Sequence, residues 1–145
     1  MSDSHPNKQL IALGVRQPWA ELILRGIKTI EVRSQGTQRR GTIYLYSSKK
    51  LSDLPAAAVA AEKYGIDPET LPMGRLVGTV EILDSTIAEP AHTGKACVPP
   101  EVLVDQFAWH LRNPQRLDEP LAVRFLPYGV WFYPFRRKNA PNAKT

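Results

Sequence analysis

Cysteine is almost missing from this chain: Cys97 is the one thiol in 145 residues, so no internal disulfide framework can form. Histidine is nearly as scarce, and His5, His92 and His110 show no metal-ligand spacing with one another or with Cys97. Neither a structural zinc, nor a redox pair, nor any other metal or cofactor is therefore expected. No apolar run approaches the roughly 18 residues needed to cross a bilayer. The opening "MSDSHPNKQ" also lacks the charged-then-apolar pattern of a signal peptide, which leaves a cytoplasmic protein with no membrane partner as the expectation. Three catalytic signatures are absent too: a Gly-rich phosphate loop, His-Glu-x-x-His and Gly-x-Ser-x-Gly. "LPMGRLVG" has two glycines at the wrong spacing for a nucleotide loop and reads as a turn before a strand. Cys97 sits in a proline-rich stretch whose nearest basic residue is Lys95, which suits an unreactive thiol.

With 43% hydrophobic residues the chain can fill one ordinary core and not two. One domain is expected over residues 10–135, between a disordered N-terminal tail (1–9) and a basic disordered C-terminal tail (136–145). The formal charge of +5 is unevenly spread. Residues 16–50 hold eight basic side chains against two acidic ones, whereas 51–135 hold six against eleven. A pI of about 9.5 is partly an effect of the tail. The segregation of charge is the stronger pointer to a polyanionic partner.

Periodicity divides this basic third into a strand, a helix and two further strands. "LIALGVR" alternates as a strand, and "QPWAELILRGI" puts Trp19, Leu22, Ile23 and Ile27 on one side of a helix of two to three turns that Gly26 ends. "TIEVRS" then switches to period two, with Ile30 and Val32 facing one way and Thr29, Glu31 and Arg33 the other. After the loop "QGTQRRGT", "TIYLYSS" is a strand that sets Ile43 and Leu45 against Tyr44 and Tyr46, and is expected to neighbour "TIEVRS". An alanine-rich helix follows, N-capped by Ser52 or Asp53 and ended by Gly65. "LPMGRLVGTVEILDSTIA" is a turn and a long strand with a break at Gly78, and 89–100 reads as loop. "FAWHLRN" is a strand with a helix as competitor, and "LAVRFLPYGVWFYPF" gives two short strands about a Pro-Tyr-Gly turn. Five to seven short strands with two or more helices make an α+β fold, plausible as a small twisted barrel.

Within that frame, Gly26-x-Lys28-x-x-Glu31-x-Arg33 lies at a helix-to-strand junction. Glu31 and Arg33 share a strand face, and Lys28 can swing to the same side. A carboxylate between two cations stays ionised and forms a fixed acceptor for a polar base, but the same trio can simply brace a sheet edge. Arg16 and Trp19 stand at the preceding turn, and Ser47, Ser48 and Lys49 end the "TIYLYSS" strand. An aromatic ring beside Arg, Lys and hydroxyl groups is suited to stacking a base and holding its phosphate. Trp19 also fits the helix's apolar face, and Tyr44, Tyr46, Trp109 and Trp131 equally suit a core; His110 reads as structural.

Taken together, "LGVRQPWAELILRGIKTIEVRS", "IYLYSSKK", "LPMGRLVGTVEILD" and "FAWHLRNP…EPLAVRFLPYGVWFY" resemble the ASCH domain family in order and spacing, over 10–133. The resemblance implies a PUA-like pseudo-barrel with helices around it and a cleft for RNA or a nucleotide. Arg16, Trp19, Lys28, Arg33, Ser47, Ser48 and Lys49 would bind the ligand, with Glu31 accepting from a base amino group. Some family members are nucleic-acid-binding modules. Others are amidohydrolases that remove the acetyl group of N4-acetylcytidine with a Lys, a Thr three residues later and a distant Glu, and ribonuclease activity is attributed to some relatives. Lys28 matches that lysine, Glu31 stands where the enzyme has threonine, and Glu101 or Asp105 could serve as the distant acid. Should the protein be a hydrolase, Glu31 would be the base and Lys28 the oxyanion stabiliser, because a nearby carboxylate raises a lysine's pKa.

Overall fold

The computed structural model describes residues 7–136. Among these, six strands form one curled sheet: β1 (Ala12–Val15), β2 (Ile30–Arg33), β3 (Gly41–Ser47), β4 (Arg75–Ile87), β5 (Phe107–Leu121) and β6 (Trp131–Phe132). Their order across the sheet is β2-β5-β4-β3-β1-β6. The four α-helices are α1 (Trp19–Leu24), α2 (Pro55–Lys63), α3 (Thr93–Ala96) and α4 (Pro100–Leu103), with single 3-10 turns at Pro68–Thr70 and Pro90–His92. The architecture is α+β and barrel-like. No helix of the described residues is long and apolar enough to cross a membrane.

The connection order differs from the expected one in an instructive way. β2 does not lie beside β3; it pairs antiparallel with β5, Ile30 opposite His110 and Arg33 opposite Phe107. β3 instead sits between β4 and β1, parallel to β1 with Leu13 opposite Leu45. Sequence adjacency favours neighbouring strands only as a tendency. Here the long β5 has room beside it for β2, which becomes one edge of the sheet.

Because β3 is central, both its faces are covered. Ile43 and Leu45 enter the main core with Leu13, Val15, Val80, Ile82, the apolar face of α1 and the alanines of α2. Tyr44 and Tyr46 join Ala12, Leu76 and Phe132 in a second core on the other face. Tyr46 meets Phe132 edge-on at 5.0 Å between ring centres.

Several boundaries move for local reasons. α1 has only six residues, and Gly26 ends its turn with φ +75°, a conformation that favours glycine. Its entry is held by Gln17, wholly buried, whose side chain accepts from the Glu21 N–H (2.9 Å) and donates to the Pro72 carbonyl (3.1 Å). Neither Ser52 nor Asp53 caps α2, because Pro55 takes the first helical position and Leu54 the cap. The stretch 89–100 carries the second 3-10 turn and all of α3, with the Glu89 carboxylate and His92 ring closing a reciprocal cap. β5 runs on past Asn113 as far as Leu121, and only Trp131–Phe132 of the final segment is a strand. Asn7–Gln9, placed by composition in the tail, form a turn in which the Asn7 N–H donates to the Tyr44 hydroxyl (2.7 Å); 1–6 and 137–145 lie outside the described residues.

Gly78 does not interrupt β4 but shifts its register, for a steric reason: a Cβ there would stand 2.4 Å from both the Gln115 carbonyl oxygen and Leu24 Cδ2. Glycine lets β5 and α1 close on the same point of β4. Across that contact, Glu21 receives both arms of the Arg116 guanidinium (2.9 Å each) and Arg25 (2.7 Å). Burial alone would raise the Glu21 pKa, but the two guanidinium partners overcome it and hold the carboxyl below its ordinary value. Gly78→Ala is expected to cost about 1–3 kcal/mol through overpacking, read as a lower midpoint in urea unfolding.

Candidate functional site

The curl of the sheet brings β2, one edge, close to β1 near the other, and Arg33 spans the gap. Its Nε and Nη2 both lie 2.8 Å from Glu31 Oε2, and its Nη2 also donates to the Gly14 carbonyl of β1 (2.8 Å). The guanidinium carbon stands 5.6 Å from the centre of the Trp109 ring. Trp109 in turn stacks on Trp131 of β6 at 5.8 Å and donates its indole N–H to the Gln35 carbonyl (2.9 Å). Side chains therefore close the half-barrel where backbone pairing stops.

Two cavities open on this closure. The larger, of about 750 Å³, is lined by Gly14, Arg16, Trp19, Glu31, Arg33, Tyr46, the stretch from Ser48 through Leu54 except Leu51, and Leu126, Pro127, Gly129 and Val130. The smaller, of about 440 Å³, shares Trp19, Glu31 and Leu54 with it and continues to Lys28, Val32, Val98, Glu101, Val102 and Gln106. Of the side chains singled out from sequence, Arg16, Trp19, Glu31, Arg33, Ser48 and Lys49 meet at the larger cavity. Lys28 belongs to the smaller. Ser47 reaches neither: it is wholly buried, and its hydroxyl donates to the Arg75 carbonyl (3.0 Å). Glu101 lines the smaller cavity, whereas Asp105 occupies a left-handed turn (φ +60°) outside both.

Lys28 is 3% exposed, which strand-face reasoning did not anticipate. Its ammonium donates to the Ala96 carbonyl of α3 and lies 4.6 Å over the Trp19 ring. Burial pulls its pKa below the ordinary lysine value, and the opposing pull of Glu31 does not reverse the shift. The expected electrostatics thus invert: desolvation outweighs the neighbouring carboxylate. Glu31 pairs with Arg33 rather than with Lys28. Trp19, 7% exposed, serves the core and also forms a wall shared by both cavities. Burial raises the Cys97 thiol's pKa against the weaker downward pull of Lys28 and Lys63, in keeping with an unreactive group. His110 shares a 2.8 Å hydrogen bond with the Thr86 hydroxyl. Among the described residues, no cluster of three or more His, Cys, Asp or Glu side chains could hold a metal.

The cations around the larger cavity fall into two groups. Arg33 is fully engaged in the closure, 22% of its side chain exposed. Arg16 has only a loose 3.8 Å approach to the exposed Asp53. Lys49 and Lys50 are exposed and form no ion pair among the described residues. Sequence reasoning missed Lys50, although it continues the run "SSKK". It also missed the wall from Leu126 to Val130, which has no charge or motif to announce it; Val130 is anchored there by its carbonyl, which accepts from the Gly14 N–H (2.9 Å).

A curled α+β half-barrel with its cleft beside the Gly-x-Lys-x-x-Glu-x-Arg junction defines a class, and comparison with known proteins names it. The ASCH domain pattern matches residues 13–120, and the chain belongs to that family. It is similar to mouse activating signal cointegrator 1 (34% identical over 126 residues, 82% of this chain) and to the human protein of that name (35% over 79 residues, 50% of this chain). The matches span 21% and 14% of those proteins, so the chain corresponds to a small part of each. In three dimensions it is similar to the crystal structure of ASCH from Zymomonas mobilis, with a TM-score of 0.60, 14% identity and 91% and 90% of the two chains covered. A mutant form of that protein gives a TM-score of 0.57 at 14% identity, covering 90% of this chain and 91% of the other. Identity that low speaks for the fold alone.

The two cations of the junction should behave differently when removed. Arg33→Ala leaves a buried carboxylate and an edge carbonyl without their partner and is expected to cost about 2–3 kcal/mol. Lys28→Met loses the Ala96 bond but no longer buries an ammonium, and should cost less than about 1 kcal/mol. Urea unfolding of the two variants checks the order, and equal losses would contradict it.

Proposed function

We propose that this ASCH domain binds RNA or a nucleotide in the larger cavity. One observation carries the reading: three separate chain segments, 14–19, 31–33 and 46–54, converge there to set Arg16, Lys49 and Lys50 around an indole wall and a fixed carboxylate. Phosphate is met by Lys49 and Lys50, which form no ion pair among the described residues, and by Arg16, whose 3.8 Å pair with the exposed Asp53 is loose. A base lies against Trp19, and Glu31, oriented by Arg33, accepts from an exocyclic amino group. Arg33 acts through Glu31 and the barrel closure more than by touching phosphate. A volume of about 750 Å³ falls within the range of small-ligand pockets, roughly 300–1,000 Å³.

A hydrolytic reading has its own support in the smaller cavity, where Lys28 meets Glu31 and Glu101. Burial moves the Lys28 pKa in the direction a general base needs, so Lys28 becomes the candidate base and a carboxylate the group that orients water, the reverse of the assignment from spacing alone. N4-acetylcytidine is the substrate to try, and release of cytidine, absent in Lys28→Met, would establish this reading.

For the binding reading, Arg16→Ala and Lys49→Ala should each weaken binding of a short RNA about three- to tenfold at low salt, while leaving the thermal midpoint unchanged. Fluorescence anisotropy with a labelled oligonucleotide supplies the affinities. Unchanged affinity in both variants would remove the larger cavity as the site.

A further inference from the structure

We infer that the ligand path continues past the larger cavity onto the loop between β2 and β3, where Arg39, laid on Trp131, takes a second phosphate of a single-stranded RNA. The inference rests on the binding reading above and extends it from one nucleotide to a strand.

The loop is built to hold a shape. The Thr37 N–H donates to the Ser85 hydroxyl (3.1 Å), and the Arg39 N–H donates to the Thr37 hydroxyl (3.1 Å). Arg40 turns back on its own loop, donating to the carbonyls of Thr37 (2.8 Å) and Arg39 (2.7 Å), and reaches Asp84 at 3.5 Å. Gly36 packs so closely on Ser85 and Phe107 that a Cβ would meet them at 3.1 and 3.2 Å. Arg40 is thus spent on the loop itself. The Arg39 guanidinium is not: it lies 4.8 Å from the centre of the Trp131 ring, exposed, with no hydrogen-bond acceptor or ion pair for its side chain among the described residues.

A guanidinium stacked on an indole keeps its donors in a fixed fork while its charge stays available, which suits a phosphate oxygen pair. Its place is also right. Trp131 directly follows Gly129 and Val130, which line the larger cavity, so Arg39 is held on the residue next to that lining. A mononucleotide in the cavity has one phosphate group; a further cation beside the opening suits a backbone that continues past it. The cavity has room for one or two nucleotides and none for a duplex, and an indole wall is useful to a base only when that base is unstacked. Those features select a single strand.

The test compares cytidine monophosphate with fluorescein-labelled octacytidylate, by calorimetry and anisotropy. Arg39→Ala should weaken octacytidylate binding about three- to tenfold and flatten the plot of log affinity against log salt by about 0.7, the increment of one single-strand phosphate contact. Binding of the monophosphate should not change. Arg39→Lys should keep most of the salt slope, and Lys63→Ala, the same loss of charge outside both cavities, should alter neither ligand. Thermal midpoints equal to the parent exclude unfolding as the cause. Should Arg39→Ala weaken both ligands alike, or leave octacytidylate untouched while the monophosphate still binds, the extension is wrong and the cavity reading stands. Should the unaltered protein bind neither, both fall.

Discussion

The contact on which the rest depends is the one Arg33 makes between Glu31 and the Gly14 carbonyl. Backbone pairing cannot close this sheet, since β2 and β1 are not hydrogen-bonded neighbours. One guanidinium with several donors in a plane can bond a carboxylate on its own strand and a carbonyl on the opposite one at once. A lysine at this position would be a point charge without that reach in two directions. Closing the edge also makes the cavity: Gly14, Glu31 and Arg33 are part of its wall, and Trp19 is held against them by the short helix whose Glu21 N–H donates to the Gln17 side chain.

This arrangement sorts the basic residues by use. Arg25 and Arg116 hold Glu21, Arg40 holds its loop, and Arg33 holds the closure, each through named hydrogen bonds. Lys28 is buried at a cost that its carbonyl partner and the Trp19 ring offset only in part. Arg16, Lys49 and Lys50 are left around one opening, and Arg39 lies on Trp131, the residue after its Val130 wall. A basic run in sequence therefore mixes structural and available charge, and only the partners distinguish them.

Much of the fold was legible. Period-two and helical patterns located β1, α1, β2, β3, α2 and β4 to within a few residues, because each buries a face that its spacing declares. The order of the strands was not legible: nothing local in "TIEVRS" says that its partner is "FAWH", some 75 residues on. Neither was the short helical content of 89–100, where proline and glycine suggest loop while the Glu89–His92 cap sets a turn. At the site, the motif and its flanks identified most of the side chains that converge. Strand alternation misjudged Lys28, which precedes the strand and is turned inward by the Ala96 carbonyl of a distant helix. It also misjudged Ser47, the last residue of β3, whose hydroxyl is taken by β4. Arg116, the partner of Glu21, and the Leu126–Val130 wall lie far along the chain from the motif and carry no signal of their own.

The closure builds a nucleotide-sized cavity with Trp19 as its wall, separate from the stacked Trp109 that belongs to the brace. The two indole N–H resonances separate these roles directly in a titration with a short RNA followed by two-dimensional NMR. Binding in this cavity moves the Trp19 indole signal progressively with added RNA, while that of Trp109, donated to the Gln35 carbonyl, stays in place. A shift confined to Trp109, or saturation with no change at Trp19, would contradict it.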